Sequence, residues 1–217
     1  MPVRLPLFPL GSVLVPGLVL PLHVFEERYR VLVNALLALP EGAIRQFGVI
    51  AIRSGAEAGQ TIPELYEVGC SAELREVTPY SDGRFDIMSV GESRFRLLEL
   101  DQDAGTPYLT GLVEFLPDPD GADVEPLRQD VAAQFADYRR RLQVDVTELP
   151  EDARVVSYLI AAAMVLDLPE RQQLLEQPTT ADRLRAESEL LRRERALVGA
   201  FRALPAVELA RERPGAN

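Results

Sequence analysis

The sequence predicts an α+β fold, in which a β-rich part over residues 1–117 is followed by a helical part over residues 118–210. In the first part, short apolar runs are interrupted by Pro and Gly, as is typical of strands that bend or lie at sheet edges. In the second part, apolar residues recur every three or four positions, as on one face of a helix. The turn sequence Asp-Pro-Asp-Gly at residues 118–121 marks the boundary. We expect residues 211–217 to form a disordered tail.

The first helix is predicted between two groups of strands. Residues 5–15 and 18–24 form two short apolar runs that indicate strands. The next apolar residues have the spacing of one helical face, and the helix should end before Pro40. These residues are Phe25, Tyr29, Leu32, Val33, Leu36 and Leu37. Glu26 and Glu27 fall in the first turn, where carboxylates complement the positive end of the helix dipole.

Further strands are predicted up to residue 116. Residues 47–52 form an apolar run of the kind found in buried strands, and residues 68–75 alternate in polarity, which places Cys70 in the core. An Asp-Gly pair predicts a hairpin turn that leads into residues 85–90. Residues 108–116 complete the β-rich part.

Four helices are predicted after the boundary. They cover approximately residues 127–142, 155–166, 171–176 and 180–204. The second of them is apolar on almost every side, and we therefore expect it to be the central helix of a small bundle.

The charged residues exclude several classes of enzyme. The chain has 34 acidic residues against 23 cationic ones, a net charge of −11, and all 23 cations are Arg. Without Lys there is no Walker-type phosphate-binding loop, no Schiff base and no Ser–Lys dyad. One His and one Cys cannot supply an intrachain structural zinc site. We therefore expect no cofactor, no metal and no catalytic residue.

The same composition indicates a cytoplasmic protein that binds neither nucleic acid nor membranes. An acidic chain lacks the basic footprint that nucleic acid and anionic membrane surfaces demand. Five prolines within the first 21 residues would break the helix of a signal peptide, and the apolar run at residues 155–166 is too short to span a bilayer. A lone Cys fits a reducing compartment.

A series of short motifs resembles a known family. The sequence contains LPLFPL at 5–10, PG at 16–17, LPLHVFEERYR at 20–30, FGV at 47–49, VGC at 68–70, DGR at 82–84, GESRF at 91–95, DLP at 167–169, QLLE at 173–176 and RL at 183–184. In this order the motifs resemble the N-terminal domain of Lon proteases, and above all the free-standing bacterial proteins built from that domain alone.

The resemblance implies both an architecture and a role. The implied architecture is an N-terminal pseudo-β-barrel subdomain followed by a C-terminal helical bundle. In Lon proteases this region helps to capture unfolded or damaged polypeptide for an ATPase and a protease, neither of which follows within these 217 residues. The implied function is a non-enzymatic polypeptide-binding module. It would hold unfolded segments or a protein partner in an apolar groove near the junction of strand and helix.

Candidate binding residues lie at the start of the first helix and in the long loop at residues 53–67. In similar domains the stretch that matches the first group is implicated in substrate capture. That group consists of Phe25, Glu26, Glu27, Arg28 and Tyr29. The loop is a candidate lid and contributes Ile62 and Tyr66. Helix-start electrostatics and core packing explain the same residue types at the helix start, so both interpretations stand.

Two other function classes stay open. An adaptor or homodimer would keep its apolar surface covered by a folded partner, and a related β domain serves as an adaptor contact in cereblon-type proteins. A hydrolase would need His23 as its base or Asp82 and Asp86 as paired carboxylates, and the sequence indicates no nucleophile beside His23. Arg94 and Arg96 could bind a carboxylate; the alternatives are that both are solvated strand residues or that Arg94 braces a neighbouring loop.

Overall fold

The computed structural model describes residues 1–54, 63–145 and 148–203, and these contain seven strands and five helices. The strands are β1 (Val3–Leu10), β2 (Val19–Val24), β3 (Gln46–Ser54), β4 (Glu64–Leu65), β5 (Val68–Pro79), β6 (Phe85–Leu100) and β7 (Thr110–Phe115). The helices are α1 (Glu27–Leu37), α2 (Val124–Arg141), α3 (Ala153–Ala163), α4 (Leu168–Glu176) and α5 (Thr180–Ala203). The predicted α+β fold, with its helical bundle in the C-terminal part, is confirmed. The tail predicted at residues 211–217 lies outside the described residues.

The strands form one sheet that closes into a ring. β1 pairs with β7, and the sheet continues through β6 and β5 to β3, all in antiparallel fashion. β3 then returns to β1 as a parallel neighbour, with Gly48 opposite Leu7. Because a closed sheet has no free edge, this pairing confirms the pseudo-barrel. Outside the ring, β4 pairs with β3 and β2 pairs with β6.

β6 is long because two strands share one of its edges. β2 pairs with its first half and β7 with its second half, while β5 runs along the opposite edge. Gly91 lies where the partner changes; its N–H donates to the carbonyl of Leu18, and its own carbonyl accepts from Gly17. A Cβ at Gly91 would lie 2.3 Å from the carbonyl oxygen of Val15. The segment that leads into β2 can therefore cross β6 this closely only over a glycine.

The barrel core is completed by α1, which buries four of the six residues predicted on one face, whereas Phe25 and Leu37 are exposed. The buried residues of that face are Tyr29, Leu32, Val33 and Leu36. The ring of Tyr29 stacks on that of Phe8, with 3.9 Å between their centroids. Cys70 is fully buried in the same cluster, as expected from the alternation in β5, and burial raises the pKa of its thiol. This thiol is therefore protonated and inaccessible.

The helical part packs around α5, which contacts α2, α3 and α4. Its core includes Val131, Phe135, Val156, Ile160, Leu184 and Leu191. α4 begins at a capping box, in which Asp167 accepts from the N–H of Glu170 and the Glu170 side chain accepts from the N–H of Asp167. No helix in the described ranges is both long enough and apolar enough to cross a membrane.

α3 is less buried than its sequence predicts. The apolar run at residues 155–166 indicates a helix covered on every side, yet Val155 and Leu159 are 41% and 40% exposed. The bundle covers only part of α3, and these two residues, one turn apart, instead line a groove between α3 and the segment before β2. Hydropathy alone cannot distinguish a helix face that packs in a core from one that borders a groove.

The barrel and the bundle are joined by a buried arginine from the middle of β6. Arg94 is only 2% exposed, and its guanidinium donates to the carbonyl oxygens of Leu175 (2.9 Å), Gln177 and Pro117 (2.7 Å) and to the carboxylate of Asp118 (3.2 Å). Arg94 is therefore the predicted brace and not a solvated strand residue, and the carboxylate that it binds is that of Asp118. One side chain thereby connects the barrel, the segment between β7 and α2, and the end of α4.

Asp118 extends this connection into α3 and α5. Its carboxylate accepts hydrogen bonds from the Tyr158 hydroxyl (2.6 Å) and from the buried guanidinium of Arg183 (3.2 Å). Arg183 also lies 3.8 Å over the ring of Tyr158 and donates to the hydroxyl of Ser157 (2.8 Å). The carboxylate is therefore shared by two buried cations, and its removal would leave both guanidinium groups without a carboxylate partner.

We expect the change Arg94→Met to lower the free energy of unfolding by about 3–5 kcal/mol, because it removes the donor from Asp118 and from three carbonyl groups. Arg96→Met on the same strand provides the matched control, since Arg96 is exposed and its loss should change that free energy by less than about 0.5 kcal/mol. Urea titration followed by circular dichroism measures both variants. Equal effects would contradict the role of Arg94 as the brace.

A further buried titratable group, Glu187, lies on α5, one turn after Arg183. Glu187 is fully buried, and neither of its carboxylate oxygens has a hydrogen-bond partner among the described residues. Burial raises the pKa of Glu187 well above its usual range, and the Arg183 guanidinium only partly offsets this effect. The folded protein therefore holds Glu187 as the neutral acid at pH values where the unfolded chain has already lost that proton.

We expect Glu187 to weaken the fold as the pH rises. Above the usual glutamate pKa of about 4.3 the unfolded state ionises first, so this group alone should cost up to about 1.4 kcal/mol for each pH unit until the folded protein also ionises. Glu187→Gln removes that cost. The stability difference between Glu187→Gln and the unchanged chain, measured by urea titration at pH 5 to 8, should grow with pH. A constant difference would show that Glu187 is already ionised when folded.

Candidate functional site

The candidate site is built on the outward side of β2 and of the first half of β6. Alternation along β2 buries or half-buries Leu20, Leu22 and Val24 and turns the residues between them outward. The antiparallel register places these outward residues opposite β6, as the pairs Val19–Val90, Pro21–Met88 and His23–Asp86. We call these six residues the outer β2–β6 face, and each of the three cross-strand pairs one of its rungs. Its side chains are apolar at two of the three rungs, and Met88 is 36% exposed.

β2 is an edge strand on this face, because β6 is its one partner in the described sheet. An open edge offers backbone N–H and C=O groups to another chain. Pro21 lies in the middle of β2 and carries no N–H, as is usual for Pro at a sheet edge. The edge therefore cannot form an unbroken ladder of hydrogen bonds with an added strand.

A groove continues from the outer β2–β6 face towards the bundle. This α3 groove has a volume of about 510 Å³ and is lined on its apolar sides by Leu18, Val90, Leu116, Val155 and Leu159. Because Val90 belongs to both features, the groove meets the outer β2–β6 face at the Val19–Val90 rung.

The polar groups of the α3 groove are mostly engaged already. Arg94, Asp118 and Tyr158 line it, and these are the groups that brace the barrel against the bundle. Glu92 and Arg154 are the exposed charged residues of the lining. The groove therefore offers mainly apolar contacts to a ligand, because Arg94, Asp118 and Tyr158 are already bonded to one another.

The five residues predicted at the start of α1 are divided between surface and core. Phe25 precedes the helix and is 62% exposed, whereas Tyr29 lies inside the first turn and is 4% exposed. Glu26 pairs with Arg28 at 2.9 Å, and Glu27 pairs with Arg30 at 2.9 Å. The guanidinium of Arg28 also lies 4.6 Å from the Tyr29 ring centroid. Of the two aromatic residues, only Phe25 presents its ring to solvent.

Of the two predicted lid residues, the structure describes Tyr66, which lines a cavity away from Phe25. Ile62 lies outside the described residues. Tyr66 follows β4 and lines a separate cavity of about 390 Å³ together with Arg96 and Glu176. The guanidinium of Arg53 lies 5.5 Å from its ring centroid. A contribution of Ile62 and Tyr66 to polypeptide binding stays a prediction.

His23 belongs to a small cluster of polar and aromatic side chains at the end of β2. Its Nδ1 lies 2.6 Å from Oδ1 of Asp86, and the Tyr80 hydroxyl donates to the other oxygen of that carboxylate. These two bonds hold the pKa of Asp86 below its usual range, and the bond from Tyr80 has the larger effect. The ring of His23 lies 5.9 Å from that of Tyr80 and 6.3 Å from that of Phe25.

The contacts of this cluster do not supply the parts of a hydrolase. The side-chain hydrogen-bond partners of His23 in the described chain are Asp86 and Arg84, neither of which has a hydroxyl or thiol that a histidine base could activate. Asp82 accepts from the backbone N–H and the side chain of Arg84, which is the turn role that its sequence predicts. The described residues also contain no group of three or more His, Cys, Asp or Glu side chains that could hold a metal ion.

Sequence reasoning missed most of the outer β2–β6 face. Val19, Pro21 and Met88 were assigned to strands but not to a site. The alternation along residues 19–24 was a usable signal, because it separates inward from outward side chains. The pairing of β2 with β6 spans more than 60 residues of sequence, and no local pattern indicates it.

Comparisons with known proteins confirm the resemblance that the motifs indicated. A family model described as the ATP-dependent protease La (LON) substrate-binding domain matches residues 4–193. The chain is 30% identical over 210 residues to a Lon protease of Anaeromyxobacter dehalogenans (strain 2CP-C) and to Lon protease 2 of Myxococcus xanthus. Each alignment covers 91% of this chain and 24% of the relative. The chain thus spans about a quarter of the length of these relatives.

Solved structures show the same fold. A Lon N-terminal domain protein from Xanthomonas campestris superposes with a TM-score of 0.62 at 26% identity, covering 88% of this chain and 98% of that one. The N-terminal domain of a Mycobacterium avium complex Lon protease gives a TM-score of 0.68 at 17% identity, covering 87% and 98%. The second likeness concerns the fold alone. Since the family model covers nearly the whole chain, this protein belongs to the family of LON substrate-binding domains.

Proposed function

We propose that this chain is a non-enzymatic polypeptide-binding module, which captures unfolded or partner protein segments along the outer β2–β6 face and the α3 groove. The observation that carries the proposal is an exposed apolar path. It runs from Val155 and Leu159 through the Val19–Val90 rung to the Pro21–Met88 rung, and the exposed ring of Phe25 lies beyond the polar His23–Asp86 rung. Exposed apolar patches of this kind are typical of interaction sites.

The shape of this path favours extended segments. Val19 and His23 lie four residues apart on one strand, so the outer β2–β6 face is about 13 Å long. A chain laid along it would place every second side chain against the face. Burial of apolar area supplies about 25 cal/mol per Å² before ordering costs. Because Pro21 interrupts the free edge, we expect side-chain contacts rather than strand addition to supply most of the affinity.

The residues at the start of α1 take different roles in this proposal. Phe25 contacts the bound segment, because it is exposed and its ring neighbours that of His23. Tyr29 supports the junction from within the core. Glu26, Glu27 and Arg28 form a charged rim whose ion pairs fix the entry into the helix.

We expect Phe25→Ser and Met88→Ser each to weaken binding of an unfolded protein by about fivefold or more, since exposed apolar anchors typically contribute at least about 1 kcal/mol. The measurement is fluorescence anisotropy with labelled, reduced and carboxymethylated α-lactalbumin, beside the native form. Leu98→Ser is the matched control, because Leu98 is 46% exposed on the second half of β6, away from the outer β2–β6 face. The proposal is wrong if the chain binds neither form, or both equally.

We expect Tyr29→Ala to act on stability and not on affinity. Loss of the ring that stacks on Phe8 should lower the free energy of unfolding by about 3–5 kcal/mol. Phe25→Ala should change that free energy by less than about 0.5 kcal/mol. Urea titration gives the stabilities, and anisotropy corrected for the folded fraction gives the affinities. A Tyr29→Ala protein that stays stable but loses affinity would place Tyr29 in the contact surface.

Light scattering distinguishes this proposal from an adaptor or homodimer. A capture module leaves the outer β2–β6 face available and should have the mass of a monomer, about 24.0 kDa. A stable dimer that Met88→Ser dissociates would instead show that a second copy of the chain covers the face.

A further inference from the structure

The charges around the outer β2–β6 face do not balance. Residues 1–117 contain 15 acidic side chains and nine Arg. The arginines nearest the face are already paired. Arg75 contacts Glu73 (2.9 Å) and Glu92 (2.8 Å), and Arg84 contacts Asp82 (2.7 Å). These guanidinium groups are therefore largely neutralised by acidic partners of their own.

Two carboxylates beside the apolar rungs form no ion pair with an Arg of the described chain. Glu76 on β5 lies opposite Met88, is exposed, and makes no side-chain hydrogen bond or ion pair with any described residue. Asp86 is about half exposed and is bonded to His23 and Tyr80. A carboxyl group is ionised at neutral pH, and the bonds from Tyr80 and His23 lower the pKa of Asp86 further. Negative charge thus lies directly beside the apolar path.

Exposed aromatic rings surround the Asp86 end of the face. Phe25 and Tyr80 are both largely exposed, and His23 contacts each of them. Aromatic faces attract cations, and Arg84 of this chain already lies 5.8 Å from the Tyr80 ring centroid. A carboxylate next to exposed rings is chemically suited to a Lys or Arg side chain.

We propose that the outer β2–β6 face selects extended segments in which an apolar side chain lies two positions from a Lys or Arg. This inference rests on the proposed function. The apolar side chain would pack on the Pro21–Met88 rung and the cation would lie at Asp86, one rung along the same face. Glu76, opposite Met88, adds attraction for the cation and repels acidic segments.

The test uses three labelled, unstructured peptides that share one sequence, in which each Leu lies two positions from a variable residue, with Ser at the positions between them; the variable residue is Lys, Gln or Glu. Anisotropy at low salt should rank their affinities as Lys above Gln above Glu, with about tenfold between the first and the last. The difference should shrink at 0.5 M salt, where exposed charges are screened.

Two variants locate the effect. Glu76→Gln and Asp86→Asn should each reduce the preference for the Lys peptide over the Gln peptide by about threefold. Glu76→Gln breaks no hydrogen bond, so it keeps the test valid if Asp86→Asn disturbs the cluster. Glu189→Gln is the matched control, because it removes one exposed charge from α5 and should leave the preference unchanged.

The outcomes separate the two proposals. Equal binding of all three peptides overturns the charge selectivity and leaves polypeptide capture intact. An equal loss of preference in Glu189→Gln also overturns it, because the effect would then reflect the net charge of the chain. Failure of every peptide and of the unfolded protein to bind overturns the proposed function itself.

Discussion

The buried guanidinium of Arg94 is the interaction on which the arrangement of the two halves depends. It leaves the barrel from the middle of β6 and reaches Pro117, Asp118 and the end of α4, and Asp118 carries the connection on to Arg183. Burying three charged groups is costly, and the cost is offset only while all are in place. The spacing between α3 and the segment before β2 is fixed by this set, and with it the width of the α3 groove.

The sequence predicted the features that depend on neighbouring residues. The inward position of Cys70 follows from spacing and is confirmed, and so are the four central residues of the predicted α1 face. The closed sheet came from the family resemblance and not from any local pattern, because the closing pair of β1 and β3 joins distant segments. The exposure of Val155 and Leu159 also depends on what packs nearby. Hydropathy therefore indicated a buried helix where the structure has the wall of a groove.

The start of α1 shows why one motif supported two interpretations. Phe25 and Tyr29 have the spacing of one helical face, and that spacing predicts that both are buried. The helix begins only at Glu27, so Phe25 has extended backbone before it and lies outside the core, whereas Tyr29 stacks on Phe8. The packing interpretation therefore applies to Tyr29, and a surface role remains for Phe25. A boundary two residues earlier would have buried both, and sequence patterns do not locate helix starts with that precision.

The proline in the middle of β2 has a consequence for the solubility of the whole molecule. A protein with exposed apolar side chains beside an unpaired strand edge can aggregate, because copies of the chain pair edge to edge and form insoluble fibrils. Pro21 withholds the amide that such stacking would need in the centre of that strand. An apolar surface can therefore lie beside this edge, while Pro21 interrupts the backbone hydrogen bonds through which other copies of the chain would add to it.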